Sequence, residues 1–346
     1  MVNDVDAFLA TMLARSRLPS ARAVALVRDC YGLETRAVRL TGERDENFKL
    51  STADGAAYIL KIANPAEQVV VSDLLTAALL HLAQTDPTLP CPRVVLARSG
   101  AAQVRFTDET GAERTARVLT YLPGELLSSS TRSPQQRSAC GRIAGRLSRV
   151  LRTFSHPAAR RVLIWDPRHV GHVSRLLDEL PAITYRQAAA ELLQRLVPDI
   201  EARLPRLRQQ VVHNDLSPLN ILVDRADPVR VAGIIDFGDL THTALVADAA
   251  VIAAELLPDG CNPGDGSARQ AVRDVASAYH ESLPLLAEEL ALLGTLVAAR
   301  LVSNVVVQEW HLHRNPAGEH YAALDPEFIR ARLAIAKELL REEITL

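Results

Sequence analysis

The sequence predicts an α+β chain in two lobes, a small, mainly antiparallel β-sheet lobe followed by a larger, mostly helical one. Three observations lead there. Between Arg36 and Tyr121 apolar residues fall in short β-type runs separated by turn residues, with Ala53-Asp54-Gly55 the clearest hairpin connection. From about residue 135 onward apolar residues return at helical spacing over long stretches. One further pair of β-type runs, within Val211 to Leu240, interrupts those helices and carries a concentration of polar residues. At 346 residues the chain is long enough for two cores. Leu122-Pro123-Gly124 follows a strand and precedes a polar stretch, so residues 1–122 form the first lobe, with a helical lead-in over 1–35, and 123–346 the second.

The composition narrows the function classes. Apolar residues make up 48% and charged residues 23%, ordinary for a soluble globular protein. A formal net charge of −2 and only 4% aromatics give no basic or stacking surface for nucleic acid. The four cysteines are far apart and form no C-x-x-C pair, which fits a reducing cytoplasm and neither a disulfide framework nor a zinc site. The N-terminal stretch carries early acids and no long apolar core, so it does not read as a signal peptide. The most apolar helical run is expected at Leu245 to Leu257, which Asp248 and Glu255 interrupt and which is too short to span a bilayer. A cytoplasmic chain with no membrane partner is expected.

The lead-in reads as two short helices. Val5, Phe8, Leu9, Met12 and Leu13 share one apolar face, and Ala23, Leu26 and Val27 the next. Ser20 is a candidate cap and Gly32 a C-terminal stop. Strands are expected at 38–40, 48–51 and 58–62. The 41–47 loop between the first two has a single glycine, Gly42, among charged residues and reads as an ordinary turn. Lys61 lies on the third strand; a strand-edge lysine with its head in water is the plainer alternative. A helix is expected over 66–84, then an extended Pro87–Pro92 connection, then strands near 94–96, 103–107 and 115–121. Extended backbone from Thr120 to Leu122 could offer amide and carbonyl groups to a purine edge, or could be a plain turn. Residues 135–154 form an amphipathic helix whose arginines, Arg137 among them, read as a solvated face. Helices follow at 169–180 and 185–204. The region 268–346 reads as helical, with breaks at 258–266 and at Asn315-Pro316-Ala317-Gly318.

The 211–240 stretch carries the chemistry. Asp215 is followed five positions on by Asn220, and an apolar run ends at Asp236-Phe237-Gly238. Arg225-Ala226-Asp227-Pro228 is a turn, so a hairpin would bring Asn220 and Asp236 together with Asp215 on the loop entering it. Two oxygen ligands suit a hard cation such as Mg²⁺ beside nucleotide phosphates, and a third carboxylate can take the proton of an attacking hydroxyl.

The order H-x-D-x-x-x-x-N then D-F-G resembles the catalytic and metal-binding signature of the protein-kinase-like fold. More narrowly, Gly42 to Phe48, Leu60-Lys61-Ile62, His213-Asn214-Asp215 and Ile235 to Asp239 resemble the aminoglycoside phosphotransferase/choline kinase family, in its hydroxylysine-kinase-like branch. After the D-F-G the chain is expected to return quickly to helix over Asp239 to Leu257, with no long segment ending in A-P-E, so the substrate is expected to be a small molecule and not a polypeptide. The resemblance implies ATP or GTP as donor, Mg²⁺, and an amino acid or amino alcohol as acceptor. It further implies Asp215 as base, Asn220 and Asp236 as metal ligands, and Lys61 on the nucleotide phosphates, beside Thr120 and Leu122 at the base. His213 and Asp248 would be structural supports. Asp239 could hold a substrate ammonium or cap the next helix. Arg300 could clamp a carboxylate or be a surface arginine; Glu309, His311 and His313 are the other polar residues on that helix. No convincing carboxylate partner for Lys61 is evident, with Glu67 and Asp73 the candidates. An aminoglycoside, choline or homoserine acceptor is the alternative within this chemistry. A nucleotide-binding pseudokinase is the alternative of another class, and the completeness of Lys61, Asp215, Asn220 and Asp236 speaks against it.

Overall fold

The computed structural model describes residues 5–13, 17–42, 44–181, 184–258, 260–316 and 323–346. Glu43 of the expected loop and Ala317-Gly318 of the expected break lie outside the described residues. The chain divides into two compact units, Met1–Leu122 and Pro123–Leu346.

The first unit opens with α1 (Val5–Leu13) and α2 (Ser20–Tyr31). Helix α2 ends at Gly32, whose φ of 73° only glycine adopts without cost. Ser20 is not its cap: the N-cap is Pro19, and no side chain bonds there. Strands β1 (Arg36–Leu40), β2 (Glu46–Ser51) and β3 (Ala57–Ile62) follow, then α3 (Val69–Thr85), β4 (Val94–Val95), β5 (Val104–Thr107) and β6 (Glu113–Thr120). The sheet order is β1-β2-β3-β6-β4, with β5 also on β6, and every pairing is antiparallel. Its core joins Phe48, Leu50, Leu60, Ile62 and Val118 to Leu26 and Val27 of α2. The lead-in helix thus covers one face of the sheet, which is why its apolar stripe exists.

The second unit starts with β7 (Glu125–Leu126) and α4 (Pro134–Leu151). Ser133 and Gln136 form a capping box at the start of α4, with Pro134 at its first position. Helices α5 (Val170–Glu179) and α6 (Arg186–Arg203) follow. Strands β8 (Gln209–Val212), β9 (Ile221–Val223), β10 (Val231–Ile234) and β11 (Thr241–Ala244) come next. The unit closes with α7 (Val246–Glu255), α8 (Ser267–Ser282), α9 (Ala287–Arg314) and α10 (Pro326–Leu339). Strands β9 and β10 form the expected hairpin, joined by β7, while β11 pairs with β8 as a separate ribbon.

Two expectations are corrected here. The segment after Asp239 does not return directly to helix: β11 intervenes, because Thr241 to Ala244 pair in register with Val212 to Gln209. Arg137 is not on a solvated face; it is buried and pairs with Asp274 of α8 at 2.7 Å. The apolar run at 245–257 falls on α7, and among the described residues one longer apolar helix, α9, packs against it. By length and composition α9 could cross a membrane, but 78% of its most apolar window is buried, packed against α5, α6, α7 and α10.

Candidate functional site

Within the second unit the hairpin and the ribbon assemble the polar residues. The Ile235 amide donates to the Asn220 carbonyl at 2.9 Å, extending the β9–β10 pairing by one rung. Asp236 therefore leaves the sheet beside Asn220. Its backbone is left-handed, with φ 56°, and its Oδ1 accepts the Gly238 amide at 3.1 Å. The side chain is exposed.

Asp215 sits on the loop between β8 and β9. Its two carboxylate oxygens have different donors. Oδ2 accepts from Asn220 Nδ2 at 2.5 Å, and Oδ1 accepts from Arg300 Nη2 at 3.2 Å. The same Nδ2 also donates to the Asp215 carbonyl at 3.0 Å. Burial, and then the neighbouring Asp239, Glu255 and Asp236, push the Asp215 carboxyl well above the usual carboxylate range, while Arg300 acts the other way. A group raised in this manner is a better proton acceptor than a free carboxylate.

The loop that carries Asp215 is held from below. Asp248 of α7 is fully buried and accepts the amides of His213 and Asn214 at 3.0 and 2.7 Å and the Ser148 hydroxyl at 3.2 Å. Those bonds let Asn214 take a left-handed φ of 66°, a conformation asparagine tolerates better than most residues. His213, also fully buried, accepts the Asp215 amide on Nδ1 at 3.3 Å. Its Nε2 lies 3.3 Å from the Ile235 carbonyl, so the neutral tautomer with a proton on Nε2 satisfies both contacts. Burial lowers its pKa despite the acids around it. The Phe237 ring meets the imidazole edge-on, with centroids 4.7 Å apart. One histidine thereby ties the Asp215 loop to the Asp236 turn.

Sequence reasoning missed three residues here. Arg161 is buried and donates from Nε to the Leu240 carbonyl at 3.0 Å and from Nη2 to the Gly238 carbonyl. Nothing in its local sequence marks it. Glu255, at the end of α7, accepts from Arg300 Nε at 3.0 Å and from Asn304 Nδ2 at 2.8 Å. Although burial opposes its charge, Arg300 and Asn304 bring its pKa down. An acid inside an otherwise apolar helix was the signal that could have found it. Trp165 places its ring 4.9 Å from the Arg300 guanidinium.

Arg300 is therefore not a surface arginine: it is 9% exposed, and two of its nitrogens meet Asp215 and Glu255. Asp239 is buried and close enough to influence both Asp215 and Arg300. It does not cap α7, which begins only at Val246 with Leu245 before it. Glu309, His311 and His313 lie about 13 Å or more farther along α9 than Arg300. His311 is buried and His313 exposed, so the two do not share an environment.

In the first unit Lys61 is 8% exposed on β3, an interior strand, opposite Asn47 of β2 and Arg117 of β6. This corrects the strand-edge alternative. Glu67 precedes α3, which starts at Val69, and Asp73 on that helix accepts a hydrogen bond from Gln103. Gly42 is required by close approach: a Cβ there would stand 2.5 Å from the Asp45 carbonyl oxygen. Thr120 exchanges hydrogen bonds with Arg93 through its amide, at 2.9 Å, and its hydroxyl, at 2.8 Å. Leu122 is the last residue of this unit.

The residues of the second unit fit a hard cation. Asn220 spends its nitrogen on Asp215, which leaves its side-chain oxygen as the group to offer, and Asp236 presents an exposed carboxylate from the adjoining strand end. Two such oxygens form no closed cage, and Mg²⁺ characteristically takes its remaining ligands from water and phosphate.

Comparison with known proteins supplies the context. The profile of the phosphotransferase enzyme family matches residues 34–286. Hydroxylysine kinase of Mus musculus is 24% identical over 331 residues, covering 89% of this chain and 86% of the relative. That of Danio rerio is 24% identical over 348 residues, covering 97% and 96%. Among solved structures, an amicoumacin kinase in complex with AMP-PNP, Ca²⁺ and its ligand has a TM-score of 0.69 at 15% identity, covering 95% of each chain. A microcompartment-associated aminopropanol kinase has a TM-score of 0.66 at 18% identity, covering 92% of this chain and 95% of the other. The fold is the bilobal, protein-kinase-like α+β fold.

Proposed function

Because this chain belongs to the phosphotransferase enzyme family, we propose that it moves the γ-phosphoryl group of a nucleotide, ATP or GTP, to the side-chain hydroxyl of a small aminated metabolite of the hydroxylysine type. The observation that carries the reading is the Asp215–Asn220–Asp236 arrangement: a carboxylate of raised basicity beside two oxygen donors at one hairpin end. Asp215 takes the acceptor's hydroxyl proton as that oxygen bonds to the γ-phosphorus. The bond to the bridging oxygen breaks, and the nucleoside diphosphate leaves with the electron pair. Asn220 and Asp236 would hold Mg²⁺, which supplies charge neutralisation on the phosphates when bound. Lys61 binds the nucleotide phosphates as a buried cation. Among the described residues that act most strongly on Asp215, the acids Asp239, Glu255 and Asp236 outnumber the one cation, Arg300, which favours an ammonium-bearing acceptor.

The test is nucleoside diphosphate release from ATP and GTP with a panel of acceptors: hydroxylysine, amino alcohols, homoserine, choline and aminoglycosides. Turnover is expected with a hydroxylated amine. Asp215→Asn should lose roughly 100- to 10,000-fold while still binding nucleotide in calorimetry. Turnover at the wild-type rate in that variant would remove Asp215 as the base. Nucleotide binding with no transfer to any acceptor would favour a pseudokinase instead.

A further inference from the structure

We propose that Arg300, held by Glu255, whose carboxylate Asn304 fixes in turn, is a positioning residue that sets the orientation of the Asp215 carboxylate, and that it does not read the acceptor. This rests on the assignment of Asp215 as the base. The geometry is a relay from one helix to one oxygen atom. Arg300 and Asn304 are four residues apart on α9 and so lie on one face. Asn304 Nδ2 and Arg300 Nε both donate to Glu255 Oε1, at 2.8 and 3.0 Å. With its Nε end fixed and its face on Trp165, the planar guanidinium has one orientation left, and that orientation places Nη2 3.2 Å from Asp215 Oδ1.

Asn220 alone would not fix the base. A single donor on Oδ2 leaves the carboxylate free to rotate about the bond to its Cβ; a second donor on Oδ1, from a separate helix, removes that freedom. Alignment matters because a misplacement of about 1 Å can cost on the order of 100-fold in rate. The same geometry argues against Arg300 as a carboxylate clamp. Its Nε and Nη2 are engaged with protein acids, and Nη1, the nitrogen left without a hydrogen-bond partner among the described residues, is buried, so no two-pronged fork faces an incoming ligand. Charge supports this too, since one guanidinium between two carboxylates is already neutralised.

The experiment is steady-state kinetics of wild type, Arg300→Lys, Arg300→Met, Glu255→Gln and the Arg300→Met/Glu255→Gln double variant. Two acceptors are used, an amino acid and the matching amino alcohol that lacks the carboxylate, with thermal melting to confirm folding. We expect Arg300→Met to lower kcat roughly 10- to 100-fold for both acceptors, with either KM moving less than about threefold. Glu255→Gln should lower kcat in the same direction and add little to Arg300→Met, because the two act in series. Arg300→Lys should rescue kcat only in part, since lysine cannot donate to both acids in one plane. If Arg300→Met does not fold, Arg300→Lys and Glu255→Gln carry the same comparison. A KM that rises for the amino acid but not the alcohol, with kcat retained, would overturn the proposal and make Arg300 an acceptor-binding residue. Unchanged kcat and KM would overturn it as well. Wild type that binds nucleotide but transfers to no acceptor would instead remove the phosphotransfer reading, and the positioning role with it.

Discussion

Asn220 donates its side-chain nitrogen to Asp215 Oδ2 at 2.5 Å, so one amide orients the base with one end and keeps its oxygen for a cation. The two ends cannot be exchanged for a carboxylate. Asn220→Asp replaces the donor with a like charge against Asp215, which repels it and frees it to rotate. Diphosphate release should fall by at least about 100-fold, and extra Mg²⁺ should not restore it. Restoration by Mg²⁺ alone would mean that only metal affinity had been lost.

Removal of divalent cations tests the other end of the same residue. Chelation with EDTA should stop diphosphate release, and added Mg²⁺ should restore it in full. Asp236→Asn should raise the Mg²⁺ concentration needed for half-maximal rate by roughly 10-fold or more. An unaltered Mg²⁺ dependence in that variant would take Asp236 out of the metal site.

The support beneath the loop is predicted to matter for stability as well as rate. Asp248→Ala leaves the buried amides of His213 and Asn214 without an acceptor. A loss of about 3 kcal/mol is expected in urea unfolding of the second unit's transition. Ser148→Ala, which removes one bond and leaves both amides satisfied, should cost about 1 kcal/mol. Equal losses would show that the amides do not depend on Asp248.

At Gly141 helix α4 approaches α8 so closely that a side chain does not fit between them. A Cβ on Gly141 would stand 2.3 Å from the Val275 carbonyl oxygen. Glycine inside a helix usually gains about 1 kcal/mol on replacement by alanine. Here the sign should reverse, with Gly141→Ala losing about 1–3 kcal/mol in chemical denaturation. A more stable variant would show that the helices have room to separate.

Asp108 gives a pH dependence in the first unit. The Thr110 hydroxyl, the Thr110 and Ala112 amides and Arg114 hold its pKa down from 3.8 to about 2. A carboxyl held below its unfolded value stabilises the fold above the unfolded pKa and loses that contribution as pH falls through the folded one. The difference in melting temperature between wild type and Asp108→Asn should therefore be largest above about pH 4 and close as the pH approaches 2. A difference that widened on acidification would reverse the sign and refute the argument.

Much of the architecture was legible because it follows from local periodicity and turn chemistry. The strands of the first sheet lie within a few residues of their apolar runs, and Gly32 stops α2 where a left-handed residue is needed. The hairpin with Asn220 and Asp236 at one end could be read from the Asp227-Pro228 turn between two apolar runs. What escaped was long-range. Thr241 to Ala244 read as the start of the helix that runs on to Leu257, and their pairing with β8 makes them a strand instead. Arg137 and Arg300 look like surface arginines until Asp274 and Glu255, more than forty residues away in each case, come beside them. Asp239 could not be separated from a helix cap until the start of α7 was known. Buried charge is decided by its partner, and partners distant in sequence leave no local trace.

The β8–β11 ribbon has a consequence for control. Val212 pairs with Thr241, so the residue before His213 and a residue just past Asp239 are stitched together. Only Asp239 and Leu240 separate Gly238 from that ribbon, and Arg161 holds the carbonyls of both Gly238 and Leu240. A turn so short and so tethered offers no slack that a modifying group could pull into or out of place.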